Sequence, residues 1–231
     1  MRAAFERLLR AALRHSIYLH VLVIGCAGDQ IVGPTAHPPP VFLESTVRPC
    51  GAEARFFTGT TIANREAWYG KQLRAMDEHP FCTDSRSVAE SYRFTWIPSF
   101  HPAVAVRIDL TTTGYRLTGK ILNGAGGYEP GSLARVVVHA LNDADVSRFS
   151  ELLRSAQFWE LPTSAQRLGC DGAQWVLEAL TSKGYHVVDR WTPHQDGSVR
   201  QFRAVGEWML ATSGLVPETQ GVLKRGCLTC A

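Results

Sequence analysis

The sequence lacks an apolar run long enough to form a membrane-spanning helix. The longest candidate, IYLHVLVIG at residues 17–25, has nine residues, whereas a spanning helix needs about 20. Hydrophobic residues make up 45% of the chain and charged residues 19%, a balance that argues against disorder and against a second membrane segment. The composition therefore predicts a folded domain with an ordinary core.

Motifs of several known reaction centres are also missing. The chain has no GxSxG, no HExxH and no pair of CxxC motifs. The glycine-rich stretch NGAGGYEPG, residues 123–131, lacks the spacing of a phosphate-binding loop, and no helix is predicted after it. We expect it to be a flexible strand connection that could form the rim of a pocket. We expect no cofactor and no bound metal.

The first 25 residues have the layout of a secretory signal peptide. Four arginines, against one glutamate, precede the short apolar run that ends before Cys26. The stretch VIGC at residues 23–26 resembles a bacterial lipobox, and this resemblance implies cleavage before Cys26 and acylation of its thiol. Stable anchoring needs more than one acyl chain. In such lipoproteins an aspartate after the cysteine favours retention in the inner membrane, so Ala27 at this position favours the periplasmic face of the outer membrane. The alternatives are a wrongly assigned start codon or an amphipathic basic helix on a soluble protein.

Removal of this signal changes the charge of the protein. Without its four arginines and one glutamate, the 24 basic and 21 acidic side chains of the full chain become 20 of each. A neutral protein lacks the basic footprint that a phosphate backbone requires. We therefore expect a membrane partner through the lipid on Cys26, and no nucleic-acid partner.

Lipidation of Cys26 would leave five cysteines in a compartment that permits disulfides. Four of these are disulfide candidates: Cys50, Cys82, Cys227 and Cys230. The last two form a CxxC, but a redox site is disfavoured because only Ala231 follows, and a zinc site lacks a second pair of ligands at a matching spacing.

The chain divides into four predicted segments. These are a signal peptide (1–25), a proline-rich tether (26–60), a single α+β domain (61–214) and a flexible C-terminal tail (215–231). Within the domain, periodicity and capping signals predict helices at about 64–79, 143–156 and 199–212. Four alternating strands precede the second helix and a hairpin follows it. This order predicts an antiparallel sheet of about six strands with helices packed on one face.

The last two strands, AQWVLEAL and YHVVDRW, are predicted to form a hairpin across TSKG. A loop at residues 181–184 pairs Val176 with Asp189 and Trp175 with Arg190. Glu178 then becomes a diagonal neighbour of Asp189 on one face, and Arg190 can lie over Trp175 on the other.

Residues in and before this hairpin are candidates for catalysis. The candidate set is Asp171, Glu178, His186 and Asp189. Glu178 and Asp189 would be within reach of a shared proton or metal, and in an envelope hydrolase they would act as an acid/base pair, with His194 near the strand exit. The alternative makes Asp189 the partner of an arginine or a backbone amide, since neither carboxylate has a visible reason for a shifted pKa.

Two neighbouring residues admit the same two interpretations. Asp171 precedes Gly172, and Asp-Gly is first a turn signal whose carboxylate bonds to local backbone. Cys170 could be a nucleophile if a base such as His186 lay beside it. A single free cysteine is more often a small buried side chain.

Five stretches of the domain together resemble a family of exported bacterial proteins that has no assigned activity. They are ESYRFTWIPSFHPAVAVRI, NGAGGYEPG, FWELP, DGAQWVLEAL and YHVVDRWTP. The resemblance spans about residues 68–202 and implies a common fold without implying an activity.

Two functions remain open at this point. The first is a binding or structural lipoprotein of the envelope, whose aromatic and polar strand ends contact a protein, a glycan or a small ligand. The residues expected to bind are Tyr128, Trp175, Tyr185, Arg190 and Trp191, with Trp96 beside them. The second function is the envelope hydrolase. The two differ in whether the carboxylates and a histidine converge in a pocket.

Overall fold

The computed structural model describes residues 56–57, 63–81, 90–165, 171–193 and 199–215. Its elements in chain order are α1 (Ala63–Ala75), β1 (Glu90–Pro98), β2 (Val104–Thr111), β3 (Gly114–Leu122), β4 (Leu133–Ala140), α2 (Asp143–Ser155), a 3₁₀ turn (Phe158–Glu160), β5 (Ala173–Thr181), β6 (Gly184–Trp191) and α3 (Arg200–Thr212).

The six described strands form one antiparallel sheet in the order β4-β3-β2-β1-β5-β6. After β1 the chain builds outward through β2, β3 and β4, and then returns to add β5 and β6 on the other side of β1. The predicted α+β class, with an antiparallel sheet of about six strands, is confirmed. The hairpin register is confirmed as well, since Val176 lies opposite Asp189 and Trp175 opposite Arg190.

The two faces of the sheet carry separate cores. On one face, which we call the α2/α3 face, Phe149 of α2 and Phe202 of α3 pack with β-strand residues such as Trp175. On the other, the α1 face, Leu73 and Met76 of α1 pack with a different set of strand residues. The expected arrangement with helices on one face therefore describes α2 and α3, whereas α1 covers the opposite face.

Local signals explain where α2 begins. Asn142 is its N-cap: the Asn142 side chain accepts from the Asp145 N–H, and the Asp145 carboxylate accepts from the Asn142 N–H. This reciprocal pair is a capping box, which satisfies two amide donors that would otherwise lack partners.

α1 ends earlier than predicted. The helix was predicted to extend to about residue 79, but it ends at Ala75, and Asp77 adopts a left-handed conformation with φ 53°. The Asp77 N–H donates to the Arg74 carbonyl at 3.0 Å and the Glu78 N–H to the Leu73 carbonyl at 2.9 Å. This pair of bonds is a Schellman motif, and it reverses the chain so that Glu78 turns towards the sheet.

The core extends slightly beyond the predicted domain limits. Phe56 and Phe57, which the sequence assigned to the tether, are buried in the core of the α1 face. Leu215, assigned to the tail, is fully buried against the α2/α3 face. Large apolar side chains at both ends of the domain thus join the core.

Candidate functional site: a buried polar network and an exposed aromatic end

Glu178 lies in a fully buried ion pair with Arg93 on the α1 face. The Arg93 Nε donates to Glu178 Oε2 at 2.9 Å, and Arg93 Nη2 donates to both carboxylate oxygens at 2.8 and 3.0 Å. The Tyr185 hydroxyl donates to Glu178 Oε1 at 2.9 Å. Complete burial raises the pKa of Glu178, against the lowering effect of Arg93 and Tyr185. Both carboxylate oxygens are thereby engaged.

The same arginine ties the end of α1 to the sheet. Arg93 Nη1 donates to the His79 carbonyl at 2.7 Å and lies 3.4 Å from Glu78 Oε2. Its guanidinium lies over the rings of Phe56 and Phe81, at 5.2 and 4.7 Å from their centroids. Burial alone would lower the pKa of Arg93, but the charges of Glu178 and Glu78 outweigh this effect and raise it.

Glu78 joins three strands through its single carboxylate. Besides Arg93 on β1, it contacts Lys120 on β3 at 2.9 Å and Arg107 on β2 at 3.6 Å. Burial would raise the pKa of Glu78, but Arg93 and Lys120 together lower it. The ionised Glu78 carboxylate therefore links the end of α1 to the sheet through ion pairs.

Asp189 belongs to a different set of hydrogen bonds on the same face. Its carboxylate accepts a short hydrogen bond from Gln174 Nε2 and another at 3.3 Å from the Tyr69 hydroxyl on α1. The Asp189 N–H donates to the Thr163 carbonyl at 2.7 Å. The structure thus gives Glu178 and Asp189 separate partners, and those of Asp189 include a glutamine and a tyrosine that the sequence did not predict.

His186 lies on the opposite, α2/α3 face. Its Nε2 is 2.9 Å from the Phe158 carbonyl oxygen, which can only accept, so this nitrogen carries a proton. The ring packs against Phe158 and Trp159, with centroids 4.9 and 5.6 Å away. Burial lowers the pKa of His186, against the opposing effect of the Phe158 carbonyl, and favours the neutral imidazole.

Asp171 is exposed in the bend before β5. The four candidate catalytic residues are therefore divided between the two faces and the surface, and the structure does not bring them together. Cys170, His194 and all the disulfide candidates lie outside the described residues, as does Cys26.

The expected stacking of Arg190 on Trp175 is wrong. Arg203 of α3 lies over the Trp175 ring at 5.0 Å, and Arg190 lies over Phe202 at 5.9 Å. Arg190 also donates to the carbonyls of Pro162 and Thr163, at 2.8 and 3.2 Å. Arg203 lies on α3, outside the hairpin, so the alternation of side chains along the strands could not predict its contact with the Trp175 ring.

Of the residues expected to bind a partner, Tyr128 is the one that is well exposed. Trp96, Trp175, Tyr185 and Arg190 are buried, and Trp191 is half-buried. Tyr128 is 63% exposed and stacks on Phe100, which is 57% exposed, with ring centroids 6.0 Å apart and planes inclined by 27°. Sequence reasoning missed Phe100, although a large apolar residue in the SFHP turn was a usable signal.

Glycines allow the Tyr128 loop to lie directly on the loop that carries Phe100. The Gly126 N–H donates to the His101 carbonyl at 2.8 Å and the Gly127 N–H to the Ser99 carbonyl at 3.1 Å. A Cβ on Gly127 would lie 2.6 Å from the Ser99 oxygen, so a side chain would separate the loops. The glycine-rich stretch at residues 123–131, which we expected to be a flexible connection, is thus hydrogen-bonded to the neighbouring loop and positions Tyr128.

The end of the sheet that carries Phe100 and Tyr128 also includes the start of β5 and the end of β6. Ser99 N–H donates to the Gly172 carbonyl at 2.8 Å, which places Asp171 beside the Phe100 loop. A Cβ on Gly172 would lie 3.0 Å from the Trp191 ring. Phe100, Tyr128, Asp171 and Trp191 therefore lie along one end of the sheet, which we call the aromatic end.

Comparison with known proteins finds no matching protein-family model and no matching curated protein. Among the residues that the structure describes, no helix is both long and apolar enough to span a membrane. Over the same residues, no group of three or more histidine, cysteine or acidic side chains has the geometry to hold a metal ion.

Proposed function

We propose that the protein is a bacterial envelope lipoprotein, anchored by acylated Cys26 at the periplasmic face of the outer membrane, whose domain binds a glycan through the aromatic end. The basic start, the short apolar run and the VIGC sequence support the anchor. The exposed Phe100–Tyr128 pair is the observation that carries the binding function.

The chemistry of the aromatic end matches that of a sugar chain. A pyranose presents a face of C–H groups that packs against a flat aromatic ring, and its hydroxyls donate to carboxylates. Asp171 is an exposed carboxylate at the aromatic end, and Glu129 adjoins Tyr128 with its side chain 81% exposed. Rings and acceptors therefore occur together on a surface that water can reach.

The backbone of the loop that carries Tyr128 is held against α1. Lys71 of α1 donates to the Tyr128 carbonyl at 3.2 Å and pairs with Glu129 at 3.1 Å, while Gln72 donates to the Gly126 carbonyl at 2.7 Å. A preorganised surface loses less conformational entropy on binding than a mobile one.

The hydrolase alternative has weaker support. Glu178 is paired with Arg93, Asp189 accepts from Gln174 and Tyr69, and His186 lies on the other face of the sheet. A general acid or base must reach the proton that it transfers. These groups are engaged in holding the fold.

A binding titration with soluble peptidoglycan fragments tests the glycan proposal. We expect Phe100→Ala and Tyr128→Ala each to weaken binding about tenfold or more, whereas Tyr128→Phe, which keeps the ring, stays within about threefold of the wild type. Arg154→Ala, an exposed change on α2, is the control for unrelated surface effects. Unchanged binding by both alanine variants would contradict the proposal.

A photo-reactive residue in place of Tyr128 separates a glycan from a protein partner in living cells. Crosslinked products that carry envelope sugar support the proposal. A discrete protein adduct without sugar would assign the aromatic end to a protein partner instead.

A further inference from the structure

Within the part of the chain that the structure describes, β4 is an edge strand whose side chains, apart from the half-buried Val137, are exposed to solvent. At the other edge of the sheet, the segment around Ser164 bridges to Asp189 of β6, and the Thr163 carbonyl accepts from the Asp189 N–H. Among the described residues, β4 pairs with β3 alone. Its seven positions other than Val137 are exposed.

The backbone of β4 offers a row of hydrogen-bonding groups on its outer side. The Leu141 N–H donates to the Tyr115 carbonyl at 2.9 Å, so Leu141 belongs to the set of residues that bond to β3. Because this set alternates in an antiparallel ladder, Val136, Val138 and Ala140 direct their N–H and C=O groups to the open edge. An extended chain can pair with such a row.

The side chains of β4 do not protect this edge. Soluble proteins commonly guard an edge strand with proline, with lysine, with a bulge or by keeping it short. β4 has eight residues, three consecutive valines, and neither proline nor lysine. Val136 and Val138 are 47% and 59% exposed on the α1 face. The irregularity in the β3–β4 pairing lies at Ile121/Leu122 of β3, opposite the start of β4 and away from these valines.

The charges around this edge select the type of strand that fits. β3 and β4 contain Arg116, Lys120 and Arg135 and no acidic residue. Lys120 lies 2.9 Å from Glu78, Arg116 has half of its side chain exposed, and Arg135 is exposed, so the edge carries positive charge that solvent can reach. A second β4 would have no carboxylate to place opposite Arg135 in any register. Opposite charges across a strand pair stabilise it, and like charges destabilise it.

A cavity at the end of β4 adds a place for an acidic side chain. It has a volume of about 380 Å³, opens to solvent, and is lined by residues that include Thr111, Thr113, Arg116, Val138 and Ala140. Arg116 is 3.8 Å from Asp109 Oδ2, with half of its side chain exposed. A carboxylate on a paired strand opposite Ala140 would meet this guanidinium and the threonine hydroxyls.

We propose that β4 docks an extended peptide segment of a partner protein, in which acidic residues flank alternating β-branched ones, as an antiparallel seventh strand of the sheet. The valines of the partner pack on Val136 and Val138, and its carboxylates lie near Arg135 and Arg116. This surface is separate from the aromatic end, so it does not depend on the glycan proposal.

The probe that tests this proposal is the synthetic peptide Asp-Glu-Val-Thr-Val-Glu, with a fluorophore for anisotropy measurements. In antiparallel register, its two valines face Val138 and Val136, and its final glutamate faces Arg135. One control, Lys-Lys-Val-Thr-Val-Lys, reverses the charges. A second control is N-methylated at both valines and lacks the two amide donors that would face the edge.

With the full chain, we expect the acidic peptide to bind at least tenfold more tightly than either control. Arg135→Glu should reverse the preference in favour of the lysine peptide, while the remote Arg154→Ala should leave it unchanged. Phe100→Ala should also leave it unchanged, which separates this result from the fate of the glycan proposal.

Three outcomes would overturn the proposal. The first is no binding of the acidic peptide. The second is equal binding of the N-methylated peptide, which would exclude strand addition. The third is a concentration-dependent dimer in sedimentation that Val138→Lys dissociates, because it would assign β4 to a second copy of the chain.

Discussion

Arg93 connects three distant parts of the chain through one guanidinium group. Its partner Glu178 is 85 residues away, and the Glu78 carboxylate and His79 carbonyl belong to the turn after α1. The sequence predicted correctly that Glu178 points to the same face as Asp189, because alternation along a strand is local. It could not predict Arg93 as the partner, since that pairing depends on β5 inserting beside β1.

Glu178→Gln is expected to destabilise the protein by about 3 to 5 kcal/mol, because it leaves Arg93 buried with a single, longer carboxylate contact. Urea unfolding measures the change. Tyr185→Phe, which removes one hydrogen bond to the same carboxylate, should cost less, about 1.5 to 3 kcal/mol. A Glu178→Gln protein as stable as the wild type would show that the ion pair is dispensable for folding.

His186 is expected to make stability fall in mild acid. Burial lowers its pKa from the ordinary value of 6.5, so between the two values the unfolded chain binds more protons than the folded one. The stability that the neutral His186 ring contributes is complete above the ordinary pKa. It is lost as the pH falls from that value through the lowered pKa of the folded state. Melting temperatures between about pH 5 and 7 should therefore drop less for His186→Gln than for the wild type. Equal slopes for the two proteins would contradict this assignment.

At the scale of elements, sequence rules correctly predicted the features that neighbouring residues determine. A two-residue hairpin loop fixes the pairing of β5 with β6, and Asn142 with Asp145 fixes the start of α2. The face covered by α1 could not be predicted in this way. It depends on contacts across the fold, such as the hydrogen bond from Tyr69 on α1 to Asp189 on β6.

The end of α1 provides a test at this scale. Asp77 has a left-handed conformation, in which its Cβ is strained, and glycine is the preferred residue at this position of a Schellman motif. Asp77→Gly is expected to stabilise the protein by about 0.5 to 1 kcal/mol in urea unfolding, because the strain it relieves exceeds the entropy that glycine loses on folding. Ala67→Gly, at an exposed site within the same helix, should instead cost about 1 kcal/mol. Destabilisation by both changes would argue against the motif.

For the molecule as a whole, the proposed anchor and the domain are separate parts with separate tests. Metabolic labelling with a palmitate analogue should label the wild type and fail to label Cys26→Ser, because acylation requires that thiol. Cys50→Ser is the matched control and should remain labelled. Equal labelling of the Cys26→Ser protein, or an intact Met1 on protein from its native host, would contradict the anchor.

The position of β1 at the centre of the sheet has a consequence for how the chain folds. β1 pairs early with β2, its neighbour in sequence, but its other side is filled only by β5, which begins at residue 173 of 231. Pairings between distant segments form slowly, because a long loop must close before they contribute. Under the proposed export, the polypeptide would remain without a finished core until most of its length had crossed the membrane. A chain that stopped short of β5 would accordingly yield a degradation substrate and not a smaller stable protein.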